Sequence, residues 1–319
     1  MITLGIETSC DETAVSILDG KKIKCEKIAS QTSVHSEYGG VVPEIASREH
    51  LKKLNILLEK CLAESSVSFS DINIISVTSS PGLEGSLLVG LTAARALSSL
   101  LGIPLVEVDH VEAHLFAKEF CEPGPGRGVG LVVSGGHTRL FLIERWGNYE
   151  IIGDTRDDAA GEAFDKVASL LDLPYPGGPS IEKEAKYGDR NCYDFPVSNL
   201  GGSLDFSYSG LKTAVLYTVK YDLNGTVDEN QKKNIAASFQ EAALEPLVRN
   251  AASAAKKYSA NWIFVSGGVA ANSRLREKMS EKLADDNIRV VFPPKHLCTD
   301  NASMVAACGL FHYEHKLNL

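Results

Sequence analysis

Two histidines spaced four residues apart are the feature of this sequence that most directly suggests chemistry. His110 and His114 follow an apolar stretch that is typical of a strand. On a helix, residues with this spacing share one face, with Cβ atoms about 5–6 Å apart, so both imidazoles could bind one metal ion. Asp300 lies in a turn, residues 298–301, that predicts a helix start, and its carboxylate suits a third ligand. The alternative is an ordinary pair of histidines on a helix surface.

Three turns rich in Ser, Thr and Gly suggest binding of a different ligand. They comprise residues 8–12, 134–138 and 266–268. Backbone N–H groups exposed in such turns bind phosphate, and Gly267 and Gly268 precede a predicted helix start, where free N–H groups favour an anion. The sequence has neither the phosphate-loop spacing nor the dinucleotide-binding fingerprint. Each turn alone is a common link between strands, so the prediction of a phosphate-containing ligand depends on all three.

An acidic stretch at residues 157–166 surrounds another predicted helix start. Asp157 and Asp158 are expected to cap that helix and to complement its dipole. Asp165 lies further along the chain and is predicted to contact a ligand. Residues 175–179 combine two prolines with two glycines, which predicts rigid backbone placed against a ligand. Residues 206–213 are consistent with no more than a capped helix start.

The elements that must position these residues occur in two similar sets. The periodicity of apolar residues predicts strands at residues 2–7, 13–18, 23–28, 72–77 and 103–108, with helices at 43–63, 86–101 and from 110. After a Pro- and Gly-rich linker at 123–126, it predicts strands at 130–133, 138–143, 149–152, 262–265 and 289–292, and helices at 160–171, 181–187, 210–220, 232–258, 270–283 and 301–315. We therefore predict an internal duplication. Its two α/β domains would be residues 1–122, completed by 296–319, and residues 127–295, with a nucleotide cleft between them.

Composition limits the class of protein. The chain of 319 residues is 44% hydrophobic and has no apolar run of the roughly 20 residues that span a bilayer. Its first residues predict a strand, not a signal peptide. Seven cysteines without framework spacing indicate reduced thiols, so we expect a soluble cytoplasmic protein that does not contact a membrane.

The net charge of −9 argues against a protein that coats nucleic acid nonspecifically. Local basic patches are still present. The three candidates are Arg48/Lys52/Lys53, Lys183/Lys186/Arg190 and Arg274/Arg276/Lys278. Each is also consistent with an ordinary solvated helix face.

Taken together, the motifs resemble those of the bacterial TsaD family, the tRNA threonylcarbamoyladenosine transferases. The matching segments are residues 5–13, 39–44, 110–114, 133–138, 157–166, 175–179, 206–213, 266–272 and 298–301. The resemblance implies a duplicated actin-like ATPase fold of the Hsp70 and sugar-kinase type. It implies transfer of a threonylcarbamoyl group from threonylcarbamoyl-adenylate to N6 of adenosine 37 in tRNAs that read codons beginning with A. Family members work with a TsaB-like paralogue, as a heterodimer, and with a TsaE-like ATPase.

The resemblance also assigns residues to roles. His110, His114 and Asp300 would bind one divalent ion, iron in preference to zinc. The positions that would bind the adenylate are Val132, Val133, Ser134, Gly135, Gly136, Asp165, Gly178, Glu182 (at the ribose) and Asn272. ATP or AMP could occupy the same place. Asp11 and Glu12 are the candidates for a general base.

Two departures from the family pattern and three rival functions remain. Residues 190–204 are shorter than the expected tRNA-contacting loop, and Val133 stands where archaeal relatives have a tyrosine metal ligand. A metallopeptidase of the zincin type has a glutamate directly after its first histidine. Here Glu112 is two residues on, about 200° around the helix, and should point away from the ion. A small-molecule kinase of the same fold would not need the two histidines, and a non-catalytic scaffold is disfavoured because every ligand-type position is filled.

Overall fold

The computed structural model describes residues 1–122, 124–284 and 286–316. The chain divides into two compact units: unit 1 is Met1–Glu122 with His296–Leu319, and unit 2 is Pro123–Lys295. Pro123 of the predicted linker and the last three residues of the predicted 296–319 segment lie outside the described residues. None of the helices in the described ranges combines the length and apolarity that crossing a membrane would require.

Each unit contains one five-stranded mixed sheet. The strands of unit 1 are β1 (Ile2–Glu7), β2 (Glu12–Asp19), β3 (Lys22–Ser30), β4 (Ile74–Ser80) and β5 (Leu105–Asp109), in the order β3-β2-β1-β4-β5. Strands β1, β2 and β3 pair antiparallel, whereas β4 runs parallel to both β1 and β5. The carboxyl ends of the three parallel strands, β1, β4 and β5, therefore lie at the same end of the sheet.

Unit 2 repeats this design. Its strands are β6 (Gly128–Val133), β7 (Thr138–Arg145), β8 (Asn148–Asp154), β9 (Trp262–Ser266) and β10 (Arg289–Val291), in the order β10-β9-β6-β7-β8. Strands β6, β7 and β8 pair antiparallel, and β9 runs parallel to β6 and β10. Strand for strand this is the order of unit 1, which confirms the predicted duplication.

Ten α-helices complete the described part of the two units. They are α1 (Thr32–His35), α2 (Pro43–Ser65), α3 (Glu84–Leu101) and α4 (His110–Phe116) in unit 1, α5 (Ala160–Leu170), α6 (Gly177–Ala185), α7 (Ser209–Tyr217), α8 (Glu229–Lys257) and α9 (Ser273–Lys282) in unit 2, and α10 (Ala302–Glu314), which belongs to unit 1. Three helix starts differ from the prediction by three residues or more. Helix α6 begins at Gly177, inside the segment 175–179, and α9 begins at Ser273, after a short 3-10 turn over Gly268–Ala271. Helix α8 begins at Glu229, three residues before its predicted start.

Helix α10 packs directly on the sheet of unit 1, and two glycines permit the close approach. A Cβ on Gly5 of β1 would overlap the carbonyl oxygen of Ala302, and a Cβ on Gly309 would overlap the side chain of Ser76 on β4. The Ser76 hydroxyl donates a hydrogen bond of 2.7 Å to the carbonyl of Val305. These contacts fix the start of α10 relative to the sheet, and with it the preceding turn that contains the predicted third ligand.

Candidate metal centre and ligand-binding turns

Helix α4 begins where the last strand of unit 1 ends. Asp109 is the N-cap of α4, and its side chain accepts a hydrogen bond of 2.9 Å from the backbone N–H of Glu112. This cap turns the chain directly from β5 into the helix, so the next residue is already in its first turn. His110 and His114 are both buried on this helix. The sequence predicted the helix and the shared face correctly.

The three predicted metal ligands come together in unit 1. Asp300 Oδ1 lies 3.2 Å from His114 Nε2 and 3.6 Å from His110 Nε2. The three ligand atoms all lie within 4.8 Å of one another. An ion bound to nitrogen and oxygen at about 2.0–2.2 Å would require this kind of spacing between its ligands.

His114 provides an independent test of whether a cation fits. Its side chain is fully buried, and neither ring nitrogen makes a hydrogen bond of normal geometry within the described ranges of the chain. A buried imidazole without hydrogen bonds is costly. A cation bound to Nε2 would satisfy that nitrogen, so the donor set of two imidazoles and one carboxylate is compatible with a metal ion.

Glu7 orients the other histidine. Its Oε2 lies 3.1 Å from His110 Nδ1 and accepts a hydrogen bond of 2.6 Å from the Thr78 hydroxyl, while Oε1 accepts one of 2.5 Å from the backbone N–H of Ser9. Because a carboxylate only accepts hydrogen bonds, His110 must carry a proton on Nδ1 and can direct the lone pair of Nε2 towards Asp300. This is the carboxylate–histidine arrangement common at metal sites.

The charged groups at the carboxyl ends of these strands shift the pKa values of both His110 and Glu7. Burial alone would lower the pKa of His110, but the carboxylates of Asp300 and Glu7 raise it to about 9. Burial alone would raise the pKa of Glu7, but the positive charge of His110 and its hydrogen bond hold that pKa below its usual value. The site therefore attracts positive charge, whether that charge is a proton or a metal cation.

Asp11 and Glu12 are the candidates for a general base. Asp11 is the last residue of the turn after β1, and Glu12 is the first residue of β2. Burial, followed by the negative charges of Asp11 and Asp300, raises the pKa of Glu12 well above its usual value. Glu12 also accepts a hydrogen bond of 3.2 Å from the Ser30 hydroxyl. A protonated Glu12 would be an acid and not a base unless a bound cation offset the neighbouring charges, so its catalytic role stays a prediction.

In unit 2, the predicted adenylate positions begin at the end of β6. Val132 and Val133 are buried in the strand, and Ser134 closes the turn to β7. The Ser134 backbone N–H donates to the carbonyl of His137 at 2.8 Å, and the Ser134 hydroxyl accepts from the His137 N–H at 3.1 Å. Gly135 and Gly136 are exposed, with open space where a Cβ would lie. Over Gly135 and Gly136, this turn therefore exposes backbone atoms and no side chain to a ligand.

The turn after β9 lies beside the turn after β6. Gly267 has φ of +92°, and a Cβ there would overlap the carbonyl group of Val133. Gly161, in the first turn of α5, is equally restricted, because a Cβ would lie 2.6 Å from the Ser134 carbonyl oxygen and 2.8 Å from Gly135 Cα. Two turns and a helix N-terminus thus meet at the carboxyl ends of parallel strands, where α/β folds commonly bind ligands.

The side chains at two further predicted ligand positions, Glu182 and Asn272, form hydrogen bonds within the protein. Asn272 caps α9 by accepting a hydrogen bond of 3.0 Å from the Leu275 N–H, and its amide donates one of 2.9 Å to Gln240. Glu182 accepts a hydrogen bond of 3.1 Å from the Ser273 N–H. Both side chains therefore position the N-terminus of α9, and binding of a ligand by them stays a prediction.

Asp165 and the segment at residues 175–179 have a shared structural role that sequence reasoning missed. Asp165 Oδ1 accepts a hydrogen bond of 2.7 Å from the Gly177 N–H at the start of α6. A Cβ on Gly177 would overlap the backbone of Phe164 and Asp165, whereas Gly178 faces open space. The first glycine is needed for packing of α6 on α5, and only the second leaves backbone open to a ligand.

The prediction that Asp157 and Asp158 cap α5 was wrong. The residue at the N-cap position is Ala159, and the Thr138 hydroxyl accepts the hydrogen bond of the Ala160 N–H at 2.8 Å. Asp157 instead accepts from the Ser207 hydroxyl at 2.5 Å and from the Tyr208 N–H at 2.7 Å, at the start of α7. Asp158 forms ion pairs with two lysines, Lys166 at 2.7 Å and Lys212 at 2.6 Å.

The basic cluster on α9 is neutralised within unit 2. Arg274 lies 2.5 Å from Glu241, and Lys278 lies 2.9 Å from the same carboxylate. Both basic side chains are mostly buried. The interpretation as an ordinary solvated helix face was therefore wrong for Arg274 and Lys278, which pack between α8 and α9 with their charges neutralised.

Sequence reasoning assigned no role to Glu7, which the structure places in direct contact with a predicted ligand. One signal was available: Glu7 is the only charged residue of the predicted strand 2–7 and stands at its end. Strands β1, β4 and β5 run parallel, so their carboxyl ends meet, but the strand order could not be read from one sequence.

Fold and site together define a class of protein. The chain has a duplicated actin-like fold, and unit 1 carries ligands that could hold a metal ion. Among solved structures of similar fold, full-length HypF in its phosphate- and nucleotide-bound form has a TM-score of 0.61 at 13% identity, covering 98% of this chain and 46% of that one. (R)-2-hydroxyglutaryl-CoA dehydratase component A from Acidaminococcus fermentans has a TM-score of 0.58 at 16% identity, covering 98% and 99%. At these identities the likeness shows the fold alone.

The sequence comparisons identify the family. Residues 22–307 match the family described as TsaD: tRNA N6-adenosine threonylcarbamoyltransferase. Curated relatives of that name include one from Dictyoglomus turgidum, 48% identical over 98% of this chain and 94% of the relative. Another, from Thermosipho africanus, is 49% identical over 100% and 96%. The chain belongs to the TsaD family, which confirms the resemblance of its motifs.

Proposed function

We propose that this chain transfers a threonylcarbamoyl group to the N6 amine of an adenosine in tRNA. The donor would be threonylcarbamoyl-adenylate, and the acceptor would be adenosine 37 of tRNAs that read codons beginning with A. The observation that carries the proposal is the group of His110, His114 and Asp300, with both histidines buried, in a chain nearly half identical to transferases of that name over almost its whole length.

His110, His114 and Asp300 would hold one divalent ion, iron in preference to zinc. When bound, such an ion supplies a Lewis acid that polarises a carbonyl or phosphoryl oxygen. Glu7 would hold the imidazole of His110 in the tautomer that is protonated on Nδ1 and binds the ion through Nε2. The His114 side chain is fully buried. These residues would present a fixed ligand set, so little reorganisation would be needed at the moment of transfer.

The adenylate would bind to unit 2. Val132, Val133, Ser134, Gly135 and Gly136 would provide backbone N–H groups and open space, and Asp165, Gly178, Glu182 and Asn272 would contact the rest of the nucleotide. The glycines at 135, 136 and 178 support this, since a Cβ at each would meet no protein atom within 4 Å. ATP or AMP would occupy the same positions. The mixed anhydride is already activated, so positioning of the donor would contribute most to the rate.

In the transfer itself, the N6 amine would attack the carbonyl carbon of the threonylcarbamoyl group. The bond from that carbon to the phosphate oxygen breaks, AMP leaves and the amine loses a proton. Asp11 and Glu12 are the candidates to receive the proton. A cation held by Asp300 would oppose the negative charges that raise the pKa of Glu12, and this would favour the ionised form that a base requires.

The partners and the setting belong to the same proposal. The domains would be residues 1–122 with 296–319 and residues 127–295. A TsaB-like paralogue would form a heterodimer with this chain and a TsaE-like ATPase would assist turnover, in the cytoplasm. The net charge of −9 supports a need for help in binding tRNA, because phosphate contacts require basic side chains.

A metallopeptidase is disfavoured by the position of Glu112. Its Oε1 lies 3.0 Å from His312 Nε2, on α10. A zincin glutamate must face the metal-bound water, whereas this one is engaged on another face of α4. The interaction agrees with the orientation predicted from helix geometry.

The proposal is tested with unmodified tRNA, synthetic threonylcarbamoyl-adenylate and purified partners, with nucleosides of the product measured by mass spectrometry. The native chain should add one threonylcarbamoyl group to adenosine. His114→Ala should reduce the rate by about 100-fold or more, the scale of a lost Lewis-acid contribution of several kcal/mol. The control is His315→Ala, which changes an exposed histidine after α10. Undiminished transfer by His114→Ala, or no modified adenosine with the native chain, would overturn the proposal.

A further inference from the structure

A second cluster of metal-ligand side chains lies on the other side of helix α4. Glu112 of α4 meets Cys308 and His312 of α10, and one donor atom from each lies within 4.8 Å of the others. Cys308 and His312 are four residues apart on one helix, so they share a face. The cluster therefore joins two helices of unit 1.

Two of the donor spacings are close to those of a zinc site. His312 Nε2 lies 3.0 Å from Glu112 Oε1 and 3.9 Å from Cys308 Sγ. Zinc bonds of about 2.3 Å to sulfur and about 2.0–2.2 Å to nitrogen and oxygen place tetrahedral ligands about 3.3–3.6 Å apart. Shifts of a few tenths of an ångström would give both pairs of donors the spacing that zinc requires, and the third pair lies within 4.8 Å.

Burial makes the cluster unlike a surface ion pair. Cys308 is fully buried, His312 is 2% exposed, and the Glu112 side chain is 20% exposed. An ion could be reached only from the side of Glu112, where water would complete the coordination. A thiolate, an imidazole and a carboxylate form a donor set that suits zinc.

We propose that Glu112, Cys308 and His312 form a second divalent-metal site, of the zinc type and structural in role. It would clamp α4 to α10, the helix that directly follows Asp300. The proposal does not depend on the transfer reaction, because none of its three residues belongs to the site proposed for that reaction.

The pKa of Cys308 is compatible with a thiol that loses its proton only when a metal ion binds. Burial raises the pKa of Cys308 well above its usual value, and the charges of Glu112 and Asp109 add to the rise. Without a cation the side chain is a neutral thiol. Zinc binding would displace the proton, as it does at other cysteine sites. The competing explanation is that the Glu112–His312 contact alone holds the two helices together.

Cobalt(II) separates the two explanations, because only a thiolate ligand gives an intense sulfur-to-cobalt charge-transfer band. The full chain is stripped of metal, kept reduced and titrated anaerobically with Co²⁺. The site of His110, His114 and Asp300 offers only nitrogen and oxygen, so the band reports a cysteine. We expect the native chain to show it, with saturation near one equivalent, and Cys308→Ser to lose it. Cys10→Ser is the matched control and should retain it.

The number of zinc ions bound per chain provides a second test of the proposal. The native protein should bind two equivalents of Zn²⁺ tightly, and His312→Ala one, whereas His315→Ala should still bind two. Retention of the weak cobalt absorption of the first site, with a native circular dichroism spectrum, shows that a variant has folded. If Cys308→Ser does not fold, His312→Ala still decides the stoichiometry. A native chain without the charge-transfer band, or a band lost in Cys10→Ser and kept in Cys308→Ser, overturns the proposal.

Discussion

The substitution Glu7→Gln tests how the metal ligands are held in place. It preserves the volume of a fully buried side chain and removes its charge. The carboxylate of Glu7 accepts three hydrogen bonds, from the Ser9 N–H, the Thr78 hydroxyl and His110 Nδ1. The glutamine amide has one oxygen and one NH₂ group, so its NH₂ group must face at least one of these three donors.

The consequence for His110 can be worked out from this geometry. If the amide NH₂ faces Nδ1, the imidazole must place its proton on Nε2, the nitrogen that should bind the ion. If the amide oxygen faces Nδ1, the NH₂ group lies against the Ser9 N–H. Either arrangement weakens metal binding. Loss of such an orienting partner typically costs 10–100-fold in metal affinity, or about 1.4–2.7 kcal/mol.

The assay is a competition titration of Zn²⁺ against a chromophoric chelator, with the affinity of the His110–His114–Asp300 site fitted separately from any second site. Glu26→Gln is the matched control. Glu26 is a partly buried carboxylate of unit 1, and it accepts a hydrogen bond of 2.9 Å from the Ser303 N–H without contacting either histidine. We expect its affinity to stay within about twofold of the native value. A Glu7→Gln affinity that is equally unchanged would refute the orienting role of Glu7.

Three further substitutions test the packing, the electrostatics and the ligand turn. Gly5→Ala forces a methyl group against the carbonyl of Ala302 and should destabilise the protein by about 3 kcal/mol or more in urea unfolding. Glu241 has a lowered pKa, because its contacts with Arg274 and a lysine outweigh burial. Its contribution should be complete at pH 7 and lost as the pH falls below about 4, so Glu241→Gln should differ from the native chain only above that pH. Gly136→Ala should leave the unfolding free energy unchanged but weaken AMP binding about tenfold in calorimetry, since a lost contact of this kind costs about 1.4 kcal/mol.

Each of these three substitutions has a control substitution in the same unit of the chain. Gly40→Ala places its methyl group in open space, so equal destabilisation by Gly40→Ala and Gly5→Ala would contradict the packing argument. Glu245 is the more exposed partner of the same lysine, and Glu245→Gln should destabilise the protein less at pH 7 than Glu241→Gln does. Gly210 also has open space around it. If Gly210→Ala weakens AMP binding as much as Gly136→Ala, the turn is not the binding site.

Elements with a single strong periodicity were predictable from the sequence. Strand β1 and helix α2 occur where the apolar pattern placed them, because β1 is a continuous run of buried residues and α2 buries one face. The start of α6 was missed because its prolines and glycines suggested a break. Proline is compatible with the first turn of a helix, and Pro179 lies within that turn.

The site was predictable where its geometry is local and not where it depends on distant parts of the chain. The helical spacing of His110 and His114 is a local property, and the structure confirms the shared helix. The contact between Glu7 and His110 spans 103 residues. The capping error at α5 has the same origin, because the hydroxyl that replaces the expected aspartates comes from Thr138, on a different element.

One metal ion bound by His110, His114 and Asp300 underlies the proposed chemistry. Anomalous X-ray diffraction on crystals of anaerobically purified protein, recorded on either side of the iron and zinc absorption edges, would locate that ion. We expect an anomalous peak about 2.0–2.2 Å from Nε2 of both histidines and from a carboxylate oxygen of Asp300, strongest at the iron edge. If the anomalous peaks of a metal-replete protein all lie away from these three residues, the assignment of the metal ligands is wrong.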